Sequence, residues 1–259
     1  MRIRKNHVYP VLAAAILAGA YLAFLNLPPA KLEFRDRTYP HGFRDLVLES
    51  GSTRLDPLFG LPAMGGADAK SKPDTPAVCE ALFDDFGSPA VGGRESPVQI
   101  ATFLDYRCPY CRKLADILTK VKVDNVRIVY KEWPILGPGS VLGARAALAA
   151  DRQGKYLTFH LRLMNSRFIP TEGSIESMAS DLGLHLPRLR EDMKSDGTTF
   201  AIQRTSALAS ALGFIGTPAM VVGRTIVQGE ITRDQLDRLI EDEMRPQSPK
   251  VCSTGPHRS

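Results

Sequence analysis

Cys108 and Cys111 are separated only by Pro109 and Tyr110. Two thiols at that spacing can close a disulfide, open it by exchange, or ligate a metal. Placement favours exchange. Val98–Leu104 alternates as a strand, and from Cys108 onward Cys111, Leu114, Ala115, Leu118 and Val121 recur at helical spacing. Cys108 is therefore expected at a helix N-terminus, where unpaired backbone N–H groups and the positive end of the helix dipole stabilise a thiolate. A stabilised thiolate is at once nucleophile and leaving group. Cys111 falls one turn further in and reads as the more buried sulfur. Pro109 suits the first turn because no partner is needed there for an N–H. A structural zinc site would need four ligands, and Cys79, Cys108, Cys111 and Cys252 are four. Cys79 and Cys252 do not form a second close pair, so no metal is expected. An inert disulfide is the other alternative, disfavoured because so short a loop is strained and redox-labile.

The elements that must carry this pair follow from periodicity. Cys79–Phe86 reads as a short helix with Leu82, Phe83 and Phe86 on one side. Val126–Lys131 is a second strand, and strand, helix and strand in this order favour a βαβ unit with parallel strands. Residues 140–213 are helical in character: Ser140 can cap an Ala/Leu-rich helix, Tyr156, Phe159, Leu163 and Met164 form a stripe, and Pro187 suits a helix start. Ala219–Val222 and Thr225–Gln228 flank Gly223-Arg224 as a hairpin, and Thr232–Gln235 is a capping box before Leu236, Leu239, Ile240 and Met244. The order β-α-β, helical block, β-β-α describes an α/β chain with a thioredoxin-like fold and an inserted helical domain at about 138–213.

Phe103–Arg112, Trp133-Pro134 and Ile215-Gly216-Thr217-Pro218-Ala219 together resemble the DsbA-like branch of the thiol–disulfide oxidoreductases. The resemblance spans about residues 95–243. It implies that Cys108 and Cys111 are catalytic, that Pro218 has a cis peptide bond facing them, and that the Thr217 backbone pairs with an extended substrate. Pro109 and Tyr110 are implied as further substrate contacts, and no cofactor is needed because the cysteines carry the electrons. Two departures bear on direction. The dipeptide is Pro-Tyr where the strongest oxidants have Pro-His, and Thr102 stands where thioredoxins have a buried carboxylate. Asp105 and Glu132 are the nearest acids; either could serve as a proton acceptor, and both read as solvated strand-end charges.

The remaining features set the compartment. Arg2, Arg4 and Lys5 account for most of the net charge of +5, and the rest of the chain is near neutral. A nucleic-acid partner would need a clustered basic footprint, so none is expected. The sequence has no His-Glu-x-x-His, phosphate loop or dinucleotide fingerprint, which disfavours most metal hydrolases and nucleotide enzymes. Val8–Leu27 contains no charged residue and at helical rise spans about 30 Å, the depth of a bilayer core. With cations before it, this segment reads as a transmembrane anchor after a cytoplasmic tail at 1–7, with a cleaved signal peptide ending near Ala18-Gly19-Ala20 as the alternative. Residues 28–78 read as a Pro/Gly-rich spacer with a short ordered piece around Phe43–Leu48, and 79–259 as the catalytic domain. The expected location is the bacterial cytoplasmic membrane, single-pass, with the domain on the periplasmic side. Outside the cytosol an even cysteine count favours pairing, so a Cys79–Cys252 disulfide is expected. The reading is a disulfide donor to exported proteins with cysteines, reoxidised by a membrane partner. A reductase or isomerase with the same site is the alternative, and a non-redox tethered chaperone or zinc-bound scaffold is a second.

Overall fold

The computed structural model describes residues 31–48 and 73–252. Its centre is a seven-stranded mixed sheet. The strands are β1 (Glu33–Asp36), β2 (Arg44–Val47), β3 (Ala90–Val91), β4 (Val98–Leu104), β5 (Val126–Glu132), β6 (Ala219–Val222) and β7 (Thr225–Gln228). Their spatial order is β1-β2-β7-β6-β4-β5-β3. β4 and β5 run parallel, joined by the helix α2 (Pro109–Thr119), and β6 returns antiparallel on the other side of β4. Every residue of β4 and β5 is buried. Such central strands have helices over both faces, which explains their nearly continuous apolar character.

One face carries Ala101, Phe103, Val221 and Ile226 against α1 (Thr75–Cys79), the π-helical turn Glu80–Asp84, and α7 (Asp196–Ala211). Val78, Leu82 and Phe83 from the first two, with Leu208, Ala209 and Leu212 from the third region, close that core. Between β5 and β6 lies the helical insertion: α3 (Pro138–Asp151), α4 (Tyr156–Asn165), α5 (Glu172–Asp181), α6 (Leu186–Lys194) and α7. Ala144, Ala146, Ala147, Ala149 and Ala150 are buried along α3, and small side chains of this kind let neighbouring helices approach. Gly143 is a required close approach, because a Cβ there would sit 3.0 Å from the Tyr106 ring and 3.2 Å from Leu163. The last helix, α8 (Arg233–Met244), opens on the Thr232/Gln235 capping box.

Several local features differ from the sequence reading. Residues 33–47, inside the expected spacer, add strands β1 and β2 to the sheet, with β2 parallel to β7. They are fastened by Arg44, which is buried, stacks on Phe34, and reaches Thr225, Asp242 and Glu243. Phe86 does not share the buried side of Leu82 and Phe83; it is 92% exposed, because the helix ends at Asp84. Ser140 does not cap α3, which begins at Pro138, and its hydroxyl instead donates to Asp105. Asp105 and Glu132 are not solvated: both are buried by the insertion packing over the strand ends. The expected tail (1–7) and anchor (8–27) lie outside the described residues. Among the described residues no helix is long and apolar enough to cross a membrane.

Candidate active site

The β4–α2 turn builds the site. Asp105 fixes that turn through all of its acceptor capacity. Its Oδ1 accepts from the Arg107 N–H at 2.8 Å and the Ser140 hydroxyl at 2.7 Å, and its Oδ2 accepts from the N–H groups of Ile135 and Leu136 at 2.8 and 2.9 Å. One carboxylate thus joins the redox turn to the β5–α3 loop and to the first turn of α3. The Cys108 N–H donates to the Asp105 carbonyl at 3.1 Å, which leaves Cys108 as the N-cap of α2. Its sulfur accepts from the Cys111 N–H at 3.4 Å, the role an oxygen plays in an ordinary cap.

The two sulfurs differ in environment. Cys108 is held down to about 6 by a hydrogen bond from the Cys111 thiol; burial opposes, and bonds from Thr217 and the backbone N–H groups of Cys111 and Tyr110 add to the lowering. Cys111 is pushed well above the ordinary thiol range by burial, then by its hydrogen bond to Cys108 and the proximity of that sulfur's charge. Cys111 has no exposed surface, and Cys108 keeps a small opening of 4%. The surroundings therefore favour the thiolate at Cys108 and the thiol at Cys111, and both are reduced in this structure.

The segment before β6 meets the pair from the other side. The Cys108 sulfur lies 3.3 Å from the Thr217 carbonyl oxygen, and the Thr217–Pro218 peptide is cis. Exposed apolar side chains lie on the segments that carry this contact: Tyr110 on α2, Ile135 and Leu136 on the β5–α3 loop bound to Asp105, and Ile215 two residues before Thr217. A cleft of about 470 Å³ begins at Tyr110, lined by Tyr110, Leu114 and Ile117 of α2 and by Ile231, Thr232 and Gln235. The Cys108, Cys111, Pro109, Tyr110, Thr217 and Pro218 expected at the site therefore come together. Cys79 and Cys252 lie elsewhere; they are joined to each other, with Cα atoms 5.3 Å apart. Among the described residues there is no cluster of His, Cys, Asp and Glu able to hold a metal.

Sequence reading places Tyr156 on an apolar stripe and Tyr106 in the motif around the cysteines, and does not anticipate their polar grouping with His160. Tyr106 and Tyr156 both donate to Glu132 Oε1 at 2.7 Å, and His160 lies against both rings. The one available signal was Tyr156 and His160 one helical turn apart, on the same stripe as Phe159 and Leu163.

Comparison with known proteins gives a consistent picture. A sequence family described as thioredoxin matches residues 85–242. A thioredoxin-like oxidoreductase from Silicibacter pomeroyi is similar in structure, with a TM-score of 0.59 and 43% identity, covering 62% of this chain and 95% of that one. The catalytic domain of Proteus mirabilis ScsC matches with a TM-score of 0.59 and 27% identity, over 65% of this chain and 95% of that domain. Disulfide bond formation protein D of Bacillus subtilis is 26% identical over 176 residues, covering 61% of this chain and 78% of that protein. The chain spans only about a fifth of the first curated relatives it matches. One of these, Na(+)/H(+) antiporter NhaA 3 of Salinispora tropica, is 29% identical over 135 residues, 51% of this chain and 21% of the antiporter.

Proposed function

This chain belongs to the thioredoxin family, and we propose that it catalyses thiol–disulfide exchange on exported proteins through Cys108 and Cys111, acting as a disulfide donor. The observation that carries this reading is the setting of the two sulfurs: Cys108 caps α2 and its sulfur accepts from the Cys111 N–H, which favours its thiolate, while Cys111 is fully buried, which favours its thiol. Stabilising the reduced thiolate makes the corresponding disulfide easier to reduce, which suits a donor. The relation to disulfide bond formation protein D supports the same direction.

In the proposed cycle a substrate thiolate attacks Cys108 of the oxidised pair and expels Cys111, giving a mixed disulfide. A second substrate thiol then displaces Cys108, leaving both enzyme sulfurs reduced and the substrate oxidised. Cys108 is the better leaving group at that step because its thiolate is stabilised. The Thr217 backbone, 3.3 Å from Cys108 through its carbonyl, is proposed to pair with the extended substrate. Pro218, Pro109, Tyr110 and the exposed Ile215 frame that segment with apolar surface. A membrane partner reoxidises the pair. Export is supported by the uncharged Val8–Leu27 stretch and by the Cys79–Cys252 disulfide, which persists in oxidising compartments. We read residues 8–27 as an anchor that holds the domain on the outer side of the cytoplasmic membrane.

Substitution separates the two cysteine roles. Cys108→Ser is expected to abolish exchange, while Cys111→Ala accumulates mixed disulfides between Cys108 and substrate proteins, detected by non-reducing electrophoresis and mass mapping. Equal residual turnover in both variants would refute the assignment.

A further inference from the structure

Two loops flank the redox turn, and side chains next to the cysteines hold both of them. Asp105, three residues before Cys108, accepts from the N–H groups of Ile135 and Leu136 at 2.8 and 2.9 Å. Arg112, directly after Cys111, donates to the Met164 and Ser166 carbonyls at 2.6 and 2.9 Å, which fixes the start of the α4–α5 loop. The two loops also meet. Gly139, in the first turn of α3, has no room for a side chain, because a Cβ there would lie 2.7 Å from Ile169 Cγ2 and 3.6 Å from Arg107 Cδ. The Arg107 guanidinium continues to the Leu136 carbonyl. The stem of the residue before Cys108 therefore runs between the loops and adds its own methylenes to their surface.

What these loops present is apolar and open. Ile135 and Leu136 are 42% and 41% exposed, and Phe168 and Ile169 are 49% and 58% exposed. Large apolar residues standing singly on a surface need no explanation, but four gathered from two loops mark an interaction site. Their positions are set through backbone hydrogen bonds, which leaves the side chains uncovered. This surface is separate from the cleft that begins at Tyr110. At 3.6 residues per turn, Arg112 leaves α2 about 140–160° around the helix from Tyr110, Leu114 and Ile117, which line that cleft. An extended polypeptide advances about 3.3 Å per residue, so side chains a few residues from its own cysteine come within reach of these loops.

Resting on the exchange reading, we propose that Ile135, Leu136, Phe168 and Ile169 form a second part of the substrate site and bind apolar side chains that flank the cysteine of an extended, unfolded polypeptide. Cys108 takes the sulfur, the Thr217 backbone pairs with the main chain, and the two loops take the side chains. The substrate class is then an exported chain that has not yet folded. Such a chain offers apolar residues beside its cysteines, whereas a folded protein has most of them inside.

A single turnover tests this. Oxidised full-length chain is mixed with reduced two-cysteine peptides carrying Leu or Ser beside the cysteines, and separately with dithiothreitol, and reduction of the Cys108–Cys111 pair is followed by alkylation mass shift. The leucine peptide is expected to half-saturate at a concentration about tenfold lower than the serine peptide. Tenfold is about 1.4 kcal/mol, or roughly 55 Å² of apolar surface removed from water, which is less than one aromatic side chain can bury. Phe168→Ser with Ile169→Ser is expected to raise half-saturation by the leucine peptide about tenfold, to bring the two peptides within about twofold, and to leave the limiting rate in place. Each single substitution is expected to give an intermediate shift, which keeps the test readable if the double variant is unstable. Equal half-saturation by the two peptides on the unsubstituted chain overturns the proposal, as does a leucine preference that survives in the variants. Dithiothreitol offers no such side chain and reads the redox turn alone, so a dithiothreitol rate that falls in step with the peptide rates also overturns it. A chain that oxidises neither the peptides nor dithiothreitol removes the exchange reading itself, which separates the two failures.

Discussion

At Cys108, hydrogen bonds from the Cys111 thiol, from Thr217 and from two backbone N–H groups converge on one sulfur. The Cys111 thiol contributes most, so Cys111→Ala is expected to raise the pH at which Cys108 becomes reactive above about 6. The alkylation rate of Cys108 against pH checks this. The same group has a consequence for stability. Its folded value of about 6 lies below the unfolded thiol value of about 8.5, so the folded state favours the thiolate. The resulting stabilisation is fully present above about pH 8.5 and is lost as pH falls through about 6. Urea unfolding of reduced protein should show that rise between the two values, and Cys108→Ser should abolish it. The chemistry of the pair was legible in the sequence because four consecutive residues carry it. The burial of Asp105 and Glu132 was not, since helices distant in sequence cover both and a charge at a strand end has no local mark of burial.

The elements divide in the same way. β4, α2, β5, the β6–β7 hairpin and α8 announce themselves through period, turn residues and a capping box. β1 and β2 do so much less, β2 falling on the short ordered piece expected around Phe43–Leu48: each has four residues, they contain Glu33, Arg35, Asp36, Arg44 and Asp45, and Pro40 and Gly42 lie between them. What makes them strands is long-range. Arg44 donates to Glu243 at 2.9 Å and to Thr225 at 2.7 Å, linking β2 to β7 and α8. Removing one partner of a buried ion pair leaves the other uncompensated, at a cost of about 3–5 kcal/mol. Arg44→Met is expected to destabilise the domain by that order in urea unfolding, because Glu243 stays buried beside Thr225 with its guanidinium partner gone. A change below about 0.5 kcal/mol, typical of surface substitutions, would show that the pair does not fasten the strand.

Across the whole molecule, the Cys79–Cys252 disulfide closes a loop with a sequence separation of 173, bringing the end of the described chain to α1, between β2 and β3 in sequence. Val251 and Cys252 pack against the core that contains Phe43, Val78 and Leu82, so the tail is a structural strap. The chain-entropy relation gives roughly 5 kcal/mol as an upper figure for so long a loop. Replacing both cysteines by Ser is expected to lower stability by up to that amount and to expose the tail to limited proteolysis, with Cys108 reactivity retained. A second global effect comes from Lys131, buried against Asp85 and Ser88. Burial lowers its folded value to about 8, below its unfolded value of about 10.4. The unfolded chain therefore binds the extra proton between those values, and stability of the oxidised protein should rise with pH from about 8 to 10. Lys131→Met should flatten that rise.

The claim that joins these scales is that the fold stabilises the reduced pair enough to make its disulfide a donor. The reduction potential of Cys108/Cys111, measured in glutathione buffers by thiol-alkylation mass shift, tests it most directly. The expected value lies toward the ~−120 mV of a strong oxidant. A value near the ~−270 mV of thioredoxin would contradict the donor assignment and make the site a reductase.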